Sequence, residues 1–443
     1  MHGYVLVQKL GETGLFGAQV PDMTGCYRML RDMERSGVLE TSTDRGEGPQ
    51  RKKYRVTALG RRCLNRWIDS LTRSRDHTER VLSFLLAARL AAMDGGGYCP
   101  EEERLFMEDV RKRAMNGEMP RREDVLRLLA YAPGSPEEEY LGRLARETAR
   151  EAAGNRAGVW AAIGVDSAPC SMNCAFCAFG EAWGVVREKH ELSEEEIVVA
   201  ARRYAAEGAS WMVLRTTEHY GLERLCRLAG VVRASLPKRC ALVANTGQKS
   251  REDIRRLHEA GFGVMYHALR LGEGKDTPFD PKLRREALCR IGREDVALAC
   301  LVEPLGGEHG NEEIADVILA AMSAGAQICG VMARVNVSGT PYEGRAGVPE
   351  ARLARVAAVV RLCGGIRTPY VCVHPPLSQA VEWGANVVVV ETGAVPRESG
   401  EVSGEWQGFT VREARELFLR HGYVLKADAD RDGEVPGAAR EVF

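Results

Sequence analysis

Residues 170–177 read Cys170-Ser-Met-Asn-Cys174-Ala-Phe-Cys177, directly after an apolar run, Val159-Trp-Ala-Ala-Ile-Gly-Val165, that predicts a strand. Three cysteines within eight residues of loop can close on one iron–sulfur cluster. A cubane cluster has four irons, so three thiolates leave one iron without a protein ligand and free to bind a reacting molecule. The stretch therefore predicts a reactive cluster at the end of a strand.

Zinc and disulfide chemistry are the alternatives for this loop. A zinc site usually needs a fourth Cys or His nearby, and the next histidine, His190, is thirteen residues beyond Cys177. A disulfide with a spare thiol would need a secretory protein. Thirteen cysteines without a recognisable signal peptide instead favour a reducing, cytoplasmic location.

Length and composition set the domain count and exclude some classes. A chain of 443 residues is expected to form two or three domains. A 45% hydrophobic and 28% charged composition is ordinary for a globular protein, and the net charge of -1 indicates neither nucleic acid nor a membrane as the partner of the whole chain. No apolar run approaches the roughly 18 residues that span a bilayer, so no membrane contact is expected.

Residues 1–75 are the basic part of the chain, with fourteen Lys and Arg against eight Asp and Glu. An amphipathic helix is predicted over Thr24–Ser36, ended by Gly37. Two strands follow, Val38–Ser42 and Arg51–Thr57, around a turn-rich segment. This order of elements predicts a small α+β winged-helix domain.

The N-terminal segment also resembles a known family. Residues 27–39 (Tyr-Arg-Met-Leu-Arg-Asp-Met-Glu-Arg-Ser-Gly-Val-Leu) and 53–61 (Lys-Tyr-Arg-Val-Thr-Ala-Leu-Gly-Arg) resemble the PadR family of transcriptional regulators. The resemblance implies DNA as a partner, with a helix in the major groove and the wing on phosphates. The basic residues of the wing are Arg51, Lys52, Lys53 and Arg55. A winged helix retained only for packing or for a homodimer would look the same.

The middle of the chain is predicted to be a helical connection. Helices are expected over 82–93, 101–114 and 121–130, with a breaker at 94–100. The predicted organisation is a winged-helix domain over 1–75, a linker over 76–120 and a catalytic domain over 121–443.

From Val159 the sequence alternates strand and helix eight times. The apolar runs are 159–165, 211–216, 240–244, 263–269, 296–302, 327–335, 370–374 and 386–391, with helical periods such as 193–207, 250–260, 311–324 and 349–362 between them. Eight units with short loops favour an α/β fold of the (β/α)8 TIM-barrel type over an open sheet. Active sites of such barrels lie at the carboxyl ends of the strands.

The CxxxCxxC spacing with Phe176 before its last cysteine resembles the signature of radical S-adenosylmethionine (SAM) enzymes. The resemblance implies that Cys170, Cys174 and Cys177 hold a [4Fe-4S] cluster whose open iron binds SAM. A 5'-deoxyadenosyl radical would form after an electron arrives from a donor such as flavodoxin or ferredoxin. Thr216, Thr217 and Glu218 would take the place of the Gly-Gly-Glu element that holds the SAM amino group. Arg285, or its neighbour Arg284, would pair with the SAM carboxylate.

Three further cysteines fall on alternate strands. Cys240, Cys300 and Cys372 belong to predicted strands three, five and seven, and alternate strands of a barrel contribute to one interior layer. They are therefore candidate ligands of an auxiliary iron–sulfur cluster. Three separately buried thiols are the alternative.

Residues 122–396 resemble biotin synthase and its relatives, which include the HydE maturase and methylornithine synthase. The resemblance rests on Cys240-Ala-Leu-Val, Ala299-Cys300-Leu-Val, Val337-Ser-Gly-Thr-Pro341 and Gly384-Ala-Asn386. It implies sulfur insertion into dethiobiotin or a similar small molecule. Val213 stands at the family's first auxiliary cysteine and Cys372 at its arginine, and His267-Ala-Leu-Arg270 replaces an Asn and an Asp. Two alternatives stay open: an enzyme of this group that acts on another small molecule, and a cluster- or SAM-responsive DNA-binding regulator.

Overall fold

The computed structural model describes residues 22–44, 51–68, 98–393 and 409–426, with a few single positions before residue 80. The chain divides into two compact units, Met1–Tyr98 and Cys99–Phe443. The helix predicted over 82–93 lies outside the described residues. The helices predicted after residue 100 are part of the second unit.

The first unit has the predicted winged-helix layout. The Asp22 carboxylate caps its helix by accepting hydrogen bonds from the backbone N–H groups of Thr24 (3.0 Å) and Gly25 (2.8 Å). Gly37 follows with φ 74°, a conformation that favours glycine. The described elements are α1 (Met23–Arg35), the antiparallel strands β1 (Leu39–Asp44) and β2 (Arg51–Val56), and helical residues 58–68.

Three helices precede the barrel in the second unit and pack on its outer core. They are α2 (Glu101–Met115), α3 (Arg122–Leu129) and α4 (Pro136–Ala152). The sequence analysis missed α4, although its signals are present. Ser135 caps it by accepting from the Glu138 N–H, and Pro136 occupies its first turn.

The rest of the second unit is a closed barrel of eight parallel strands, as predicted. Strand five has two segments, and both pair with the next strand, which closes the barrel. In chain order the strands of this unit are β3 (Arg156–Gly164), β4 (Asp166–Ser167), β5 (His190–Glu191), β6 (Trp211–Arg215), β7 (Ala241–Asn245), β8 (Phe262–Tyr266), β9 (Ala297–Ala299), β10 (Val302–Leu305), β11 (Ile328–Ala333), β12 (Tyr370–His374), β13 (Val387–Gly393) and β14 (Val424–Leu425). The short strands β4, β5 and β14 lie outside the ring of eight.

Helices follow the strands around the barrel. Capping boxes begin three of them, at Ser193 with Glu196, at Ser250 with Asp253 and at Thr410 with Glu413. The helices are α5 (Glu194–Glu207), α6 (Leu222–Ser235), α7 (Arg251–Glu259), α8 (Pro281–Ile291), α9 (Asn311–Ser323), α10 (Glu350–Gly364), α11 (Ser378–Glu382) and α12 (Val411–Arg420). None of the helices within the described residues has the length and apolar character needed to cross a bilayer.

Alternation along the strands creates two apolar clusters. The outer cluster lies between strands and helices and includes Ile163, Leu242 and Val373. The interior cluster fills the barrel and comprises Trp160, Ala162, Trp211, Val213, Val243, Val264, Tyr266, Ala268, Ala297, Ala299, Leu301, Ile328, Cys372, Val387 and Val389. Because successive strand residues point to opposite faces, membership of one cluster or the other fixes which way a strand side chain points.

Candidate active site

The cysteine loop lies at the carboxyl end of the first barrel strand, between the paired short strands β4 and β5. The loop folds back on itself. The Cys170 N–H donates to the Phe179 carbonyl (2.6 Å), and the Glu181 N–H donates to the Cys170 carbonyl (3.1 Å). A further turn is closed by the Cys177 N–H on the Cys174 carbonyl (2.9 Å). These bonds hold the three cysteines on one compact loop.

Two side chains brace this loop from within. Asn173 has φ 45°, which asparagine tolerates better than most residues, and its Oδ1 accepts from the Ala182 N–H (2.9 Å). The Trp183 Nε1–H donates to the Cys174 carbonyl (3.3 Å). The Trp183 ring leaves no space for a side chain at residue 180, since a Cβ there would lie 2.1 Å from Nε1. Gly180 is therefore required for the tryptophan to reach the loop.

Burial and mutual repulsion act on the cysteine thiols. Burial raises the pKa of Cys174 to about 12, with Arg270 acting in the opposite direction and the neighbouring Cys177 and Cys170 adding to the rise. Burial also raises the pKa of Cys170. A bound cation offsets both the cost of burying the thiolates and their mutual repulsion, because its positive charge stabilises them.

The donor set suits a cluster better than a single ion. Within the described residues no three His, Cys, Asp or Glu side chains converge on one point as ligands of a lone metal would. The ligands of a cubane bind different irons, so they need not converge. Three half-buried sulfur donors on one loop fit that requirement.

The end of the second barrel strand lies beside this loop. The buried Asp166 carboxylate accepts from the Thr217 N–H (2.8 Å) and from its hydroxyl (2.6 Å). The Thr216 hydroxyl donates to Thr246 Oγ1 (2.9 Å), after the third strand. Asp166 was not singled out in the sequence, since only the folded barrel brings it to Thr217.

Glu218 follows these threonines in the chain, and its backbone lies close to that of Gly247. A Cβ on Gly247 would lie 2.4 Å from the Glu218 carbonyl oxygen, so only glycine fits there. The Gln248 N–H donates to Glu218 Oε1 (3.3 Å). The backbone of the third strand's loop thus orients this carboxylate.

One cavity of about 310 Å3 connects these elements at the carboxyl ends of the strands. The predicted residues that line it are Cys170, Cys174, Phe176, Cys177, Thr216, Thr217, Glu218 and Cys372. The interior residues Trp160, Val213 and Tyr266 line its deeper part.

The cavity also holds charged residues that the sequence analysis did not assign. Arg215 lies 3.7 Å from Glu391, across strands two and eight. Arg270 lies 3.8 Å from Glu303. Burial acts to lower the pKa of Arg270, but the carboxylates of Glu303 and Glu273 outweigh it and the pKa is raised. The Arg270 guanidinium therefore remains charged inside the barrel.

The structure does not bring Arg285, the predicted partner of the SAM carboxylate, to the cavity. Arg285 is exposed on the outer surface of α8 and lines a groove there, outside the cavity. The preceding residue, Arg284, points inward with its side chain 2% exposed, 3.6 Å above the Phe279 ring and 3.9 Å from Glu273. Burial, and then the charge of Arg270, lower the pKa of Arg284.

The structure does not place Cys240, Cys300 and Cys372 in one interior layer, where the sequence predicted them. Cys372 belongs to the interior cluster and lines the cavity. Cys240 and Cys300 belong to the outer cluster, on the opposite side of the barrel wall. Burial raises the pKa of Cys240 to about 11 and raises that of Cys300 and Cys372 as well. These cysteines therefore behave as buried thiols, and they do not form one ligand set.

Comparisons with known proteins agree with the two parts of this architecture. The second unit has the barrel fold of the solved structures of HydG, a maturase of the [FeFe]-hydrogenase, and of methylornithine synthase (PylB). HydG from Carboxydothermus hydrogenoformans matches with a TM-score of 0.59 and 17% identity, over 72% of this chain and 79% of HydG. Methylornithine synthase matches with a TM-score of 0.59 and 15% identity, over 73% of this chain and 99% of that protein.

The N-terminal segment is PadR-like. Residues 1–66 match the model of the transcriptional regulator PadR-like family. No curated protein matches the chain.

Proposed function

We propose that the second unit is a radical SAM enzyme. The observation that carries the proposal is the shared cavity: the three cysteines of the loop and Glu218 line one space at the carboxyl ends of the barrel strands. When bound there, a [4Fe-4S] cluster with SAM supplies a 5'-deoxyadenosyl radical. The fold shared with HydG and methylornithine synthase supports this assignment.

The roles of the chain's own residues follow from their positions. Cys170, Cys174 and Cys177 would hold the cluster. Glu218, oriented by the loop of Gly247, would accept a hydrogen bond from the SAM ammonium group. Asp166 would act through Thr217 and fix the segment that carries Glu218.

The deeper part of the cavity suits a small polar substrate. Its walls are apolar and aromatic, while Arg215, Glu391, Arg270 and Glu303 surround it with two charges of each sign. Buried charges of both signs bind a ligand that carries complementary groups, and they leave little room for bulk water.

Sulfur insertion of the biotin synthase type has less support than an enzyme of this group that acts on another small molecule. Among the described residues that line the cavity, Cys372 is the single cysteine beyond the loop. An auxiliary cluster that donates sulfur needs several protein ligands around it. We therefore propose a maturase- or mutase-type reaction without a sulfur donor in the barrel.

The decisive experiment is anaerobic reconstitution with iron and sulfide, followed by incubation with SAM and dithionite. We expect 5'-deoxyadenosine and methionine to accumulate, and no biotin to form from added dethiobiotin. A reconstituted protein that leaves SAM intact would contradict the radical SAM proposal. Biotin formation would restore the sulfur-insertion assignment.

Glu218→Gln tests the SAM site. We expect the Kd for SAM of the cluster-loaded protein to rise about tenfold or more, because a charge-assisted hydrogen bond is lost. Equilibrium dialysis with labelled SAM measures it. Glu223→Gln is the matched control, since that carboxylate pairs with Arg256 on the surface. Equal affinities for SAM in the two variants would show that Glu218 does not bind SAM.

A DNA-binding regulator is the second candidate, and the PadR-like segment favours it. In β2 the side chain of Tyr54 is buried, whereas those of Lys52, Lys53 and Arg55 are exposed. Lys52 and Arg55 lie 3.7 and 3.8 Å from Glu34 and Glu40, and such exposed pairs are weak enough to give way to phosphates.

Reversing three of the wing charges with Lys52→Glu, Lys53→Glu and Arg55→Glu should strongly weaken duplex binding. Selection from random duplexes followed by titration at several salt concentrations measures it. We expect the slope of log K against log salt concentration to become shallower by the equivalent of about three phosphate contacts, because each lysine or arginine that binds a phosphate releases counterions from DNA. A wild-type protein that selects no sequence would indicate a winged helix kept for packing. Affinity that changes with cluster loading would support a regulatory role.

A further inference from the structure

A groove lined mainly by basic residues runs between helices α7 and α8 on the outside of the barrel. Its lining contains five cationic side chains and one carboxylate, that of Glu286. We call the five the basic face: Arg251, Lys282, Arg285, Arg290 and Arg293. Cys289 completes the lining and is half-buried.

Most of the positive charge on this face is not neutralised by ion pairs. Arg251 shares the Glu294 carboxylate with Arg255, and Arg290 donates to the Lys249 carbonyl (2.9 Å). Within the described residues no ion pair involves the other three cations, Lys282, Arg285 and Arg293, and these are exposed. A cluster of uncompensated charges raises the potential over one patch of a chain whose net charge is only -1.

The segment that leads into α8 connects the basic face to the cysteine loop. The segment before α8 contacts that loop directly, since the Ala175 N–H donates to the Asp276 carbonyl (2.8 Å). Phe279, in the same segment, lines the cavity with the cysteines, and Arg284 covers its ring. Arg285 is the next residue and points outward. One turn of helix thus has the active site on its inner side and the basic face on its outer side.

We propose that the basic face is the docking surface for a small acidic electron-carrier protein. This rests on the proposed function, because a radical SAM enzyme must receive one electron for each SAM that it cleaves. The carrier, of the flavodoxin or ferredoxin class, is oxidised by one electron and the iron–sulfur site is reduced by one. Complementary charge steers such a partner to the patch and sets its association rate. The proximity of the patch to the cysteine loop favours this partner over a nucleic acid, which would gain nothing from that position.

A charge-reversal variant tests the docking surface in the full-length, cluster-loaded protein. The test variant combines Lys282→Glu, Arg285→Glu and Arg293→Glu. The control combines Arg202→Glu, Lys238→Glu and Arg412→Glu, three exposed cations on other parts of the second unit. Both variants change the net charge equally, so a non-specific charge effect appears in both.

Two measurements are made with a purified flavodoxin of net negative charge. Calorimetric titration at low salt gives its Kd, and stopped-flow absorbance gives the rate of reduction by the fully reduced carrier. We expect the test variant to weaken binding and slow reduction by about tenfold or more, with a smaller salt dependence, and the control to match the wild type. Reduction by dithionite should be equal in all three proteins.

The outcomes separate the two proposals. Equal flavodoxin binding in the test variant and the control overturns the docking surface. Loss of duplex DNA affinity in the test variant, with unchanged flavodoxin binding, overturns it too and assigns the patch to nucleic acid. Failure of SAM cleavage with dithionite in the wild type instead contradicts the proposed enzyme, and the binding titration still reports on the surface. Iron content and melting temperature equal to those of the wild type establish that the test variant is folded. The single Arg285→Gln variant should weaken flavodoxin binding by an intermediate amount.

Discussion

Cys174→Ala should lose the cluster and all SAM cleavage. Cys174 is the central cysteine of the loop and its thiol lines the cavity beside Cys170 and Cys177. Two thiolates alone hold a cubane poorly, so we expect the iron content to fall from about four per chain to near zero after reconstitution. Iron and sulfide assays and chromatographic detection of 5'-deoxyadenosine measure the two effects. A variant that still cleaves SAM would exclude the loop as the cluster site.

The matched control removes two cysteines that face the other way. Cys240→Ala combined with Cys300→Ala should leave iron, sulfide and 5'-deoxyadenosine at wild-type levels, because both thiols lie in the outer cluster. A loss of iron in this double variant, beyond any loss explained by a lower melting temperature, would reinstate an auxiliary cluster with these ligands.

The barrel could be predicted from the sequence because its strands are buried on both faces. Parallel strands covered by helices are continuous apolar runs, and each of the eight runs found in the sequence overlaps a strand of the structure. Because both faces are buried, the sequence pattern does not show which way each side chain points. The run 240–244 (Cys-Ala-Leu-Val-Ala) has no polar alternation, so the sequence does not indicate that Cys240 shares the outward face with Leu242 while Val243 faces inward.

Helical periodicity could have predicted which of the two neighbouring α8 arginines points inward. Arg284 lies three, four and seven residues before Ala287, Leu288 and Ile291, which form the buried stripe of the helix. Arg285 is off that stripe. An arginine aligned with an apolar stripe must bury its charge beside the barrel, and the acidic Glu273 there was not predictable from local sequence.

The parts of the site that the sequence did not predict depend on contacts between distant segments. Asp166 reaches Thr217 over 51 residues, and the Arg215–Glu391 pair joins strands two and eight. These contacts depend on the closure and register of the barrel. The cysteine spacing, in contrast, is local, and so the loop was identified from the sequence.

Asn386 ties together the strands at the other end of the barrel. Its Oδ1 accepts from the Arg361 guanidinium (2.6 Å) and from the Val371 N–H (2.8 Å). Its Nδ2 donates to the carbonyls of Arg156 (2.9 Å) and Pro369 (3.1 Å). Burial lowers the pKa of Arg361 to about 10, so the guanidinium is charged at neutral pH. It donates hydrogen bonds to oxygens of Asn386 and of the backbone.

Asn386→Ala should therefore destabilise the second unit by about 3–5 kcal/mol, since it removes one acceptor of the buried Arg361 charge and takes this partner from the Val371 N–H and the Arg156 carbonyl. Urea denaturation followed by tryptophan fluorescence measures the change, because five of the six tryptophans lie after residue 98. Asn311→Ala is the control and should cost about 1–2 kcal/mol, because it removes a hydrogen bond to the Leu129 carbonyl and one from the part-exposed Arg352 guanidinium. Adding Arg361→Met to Asn386→Ala should cost less than the sum of the two single changes, because the charge that Asn386 satisfies is then gone. Strictly additive effects would mean that Asn386 stabilises the barrel through the backbone alone.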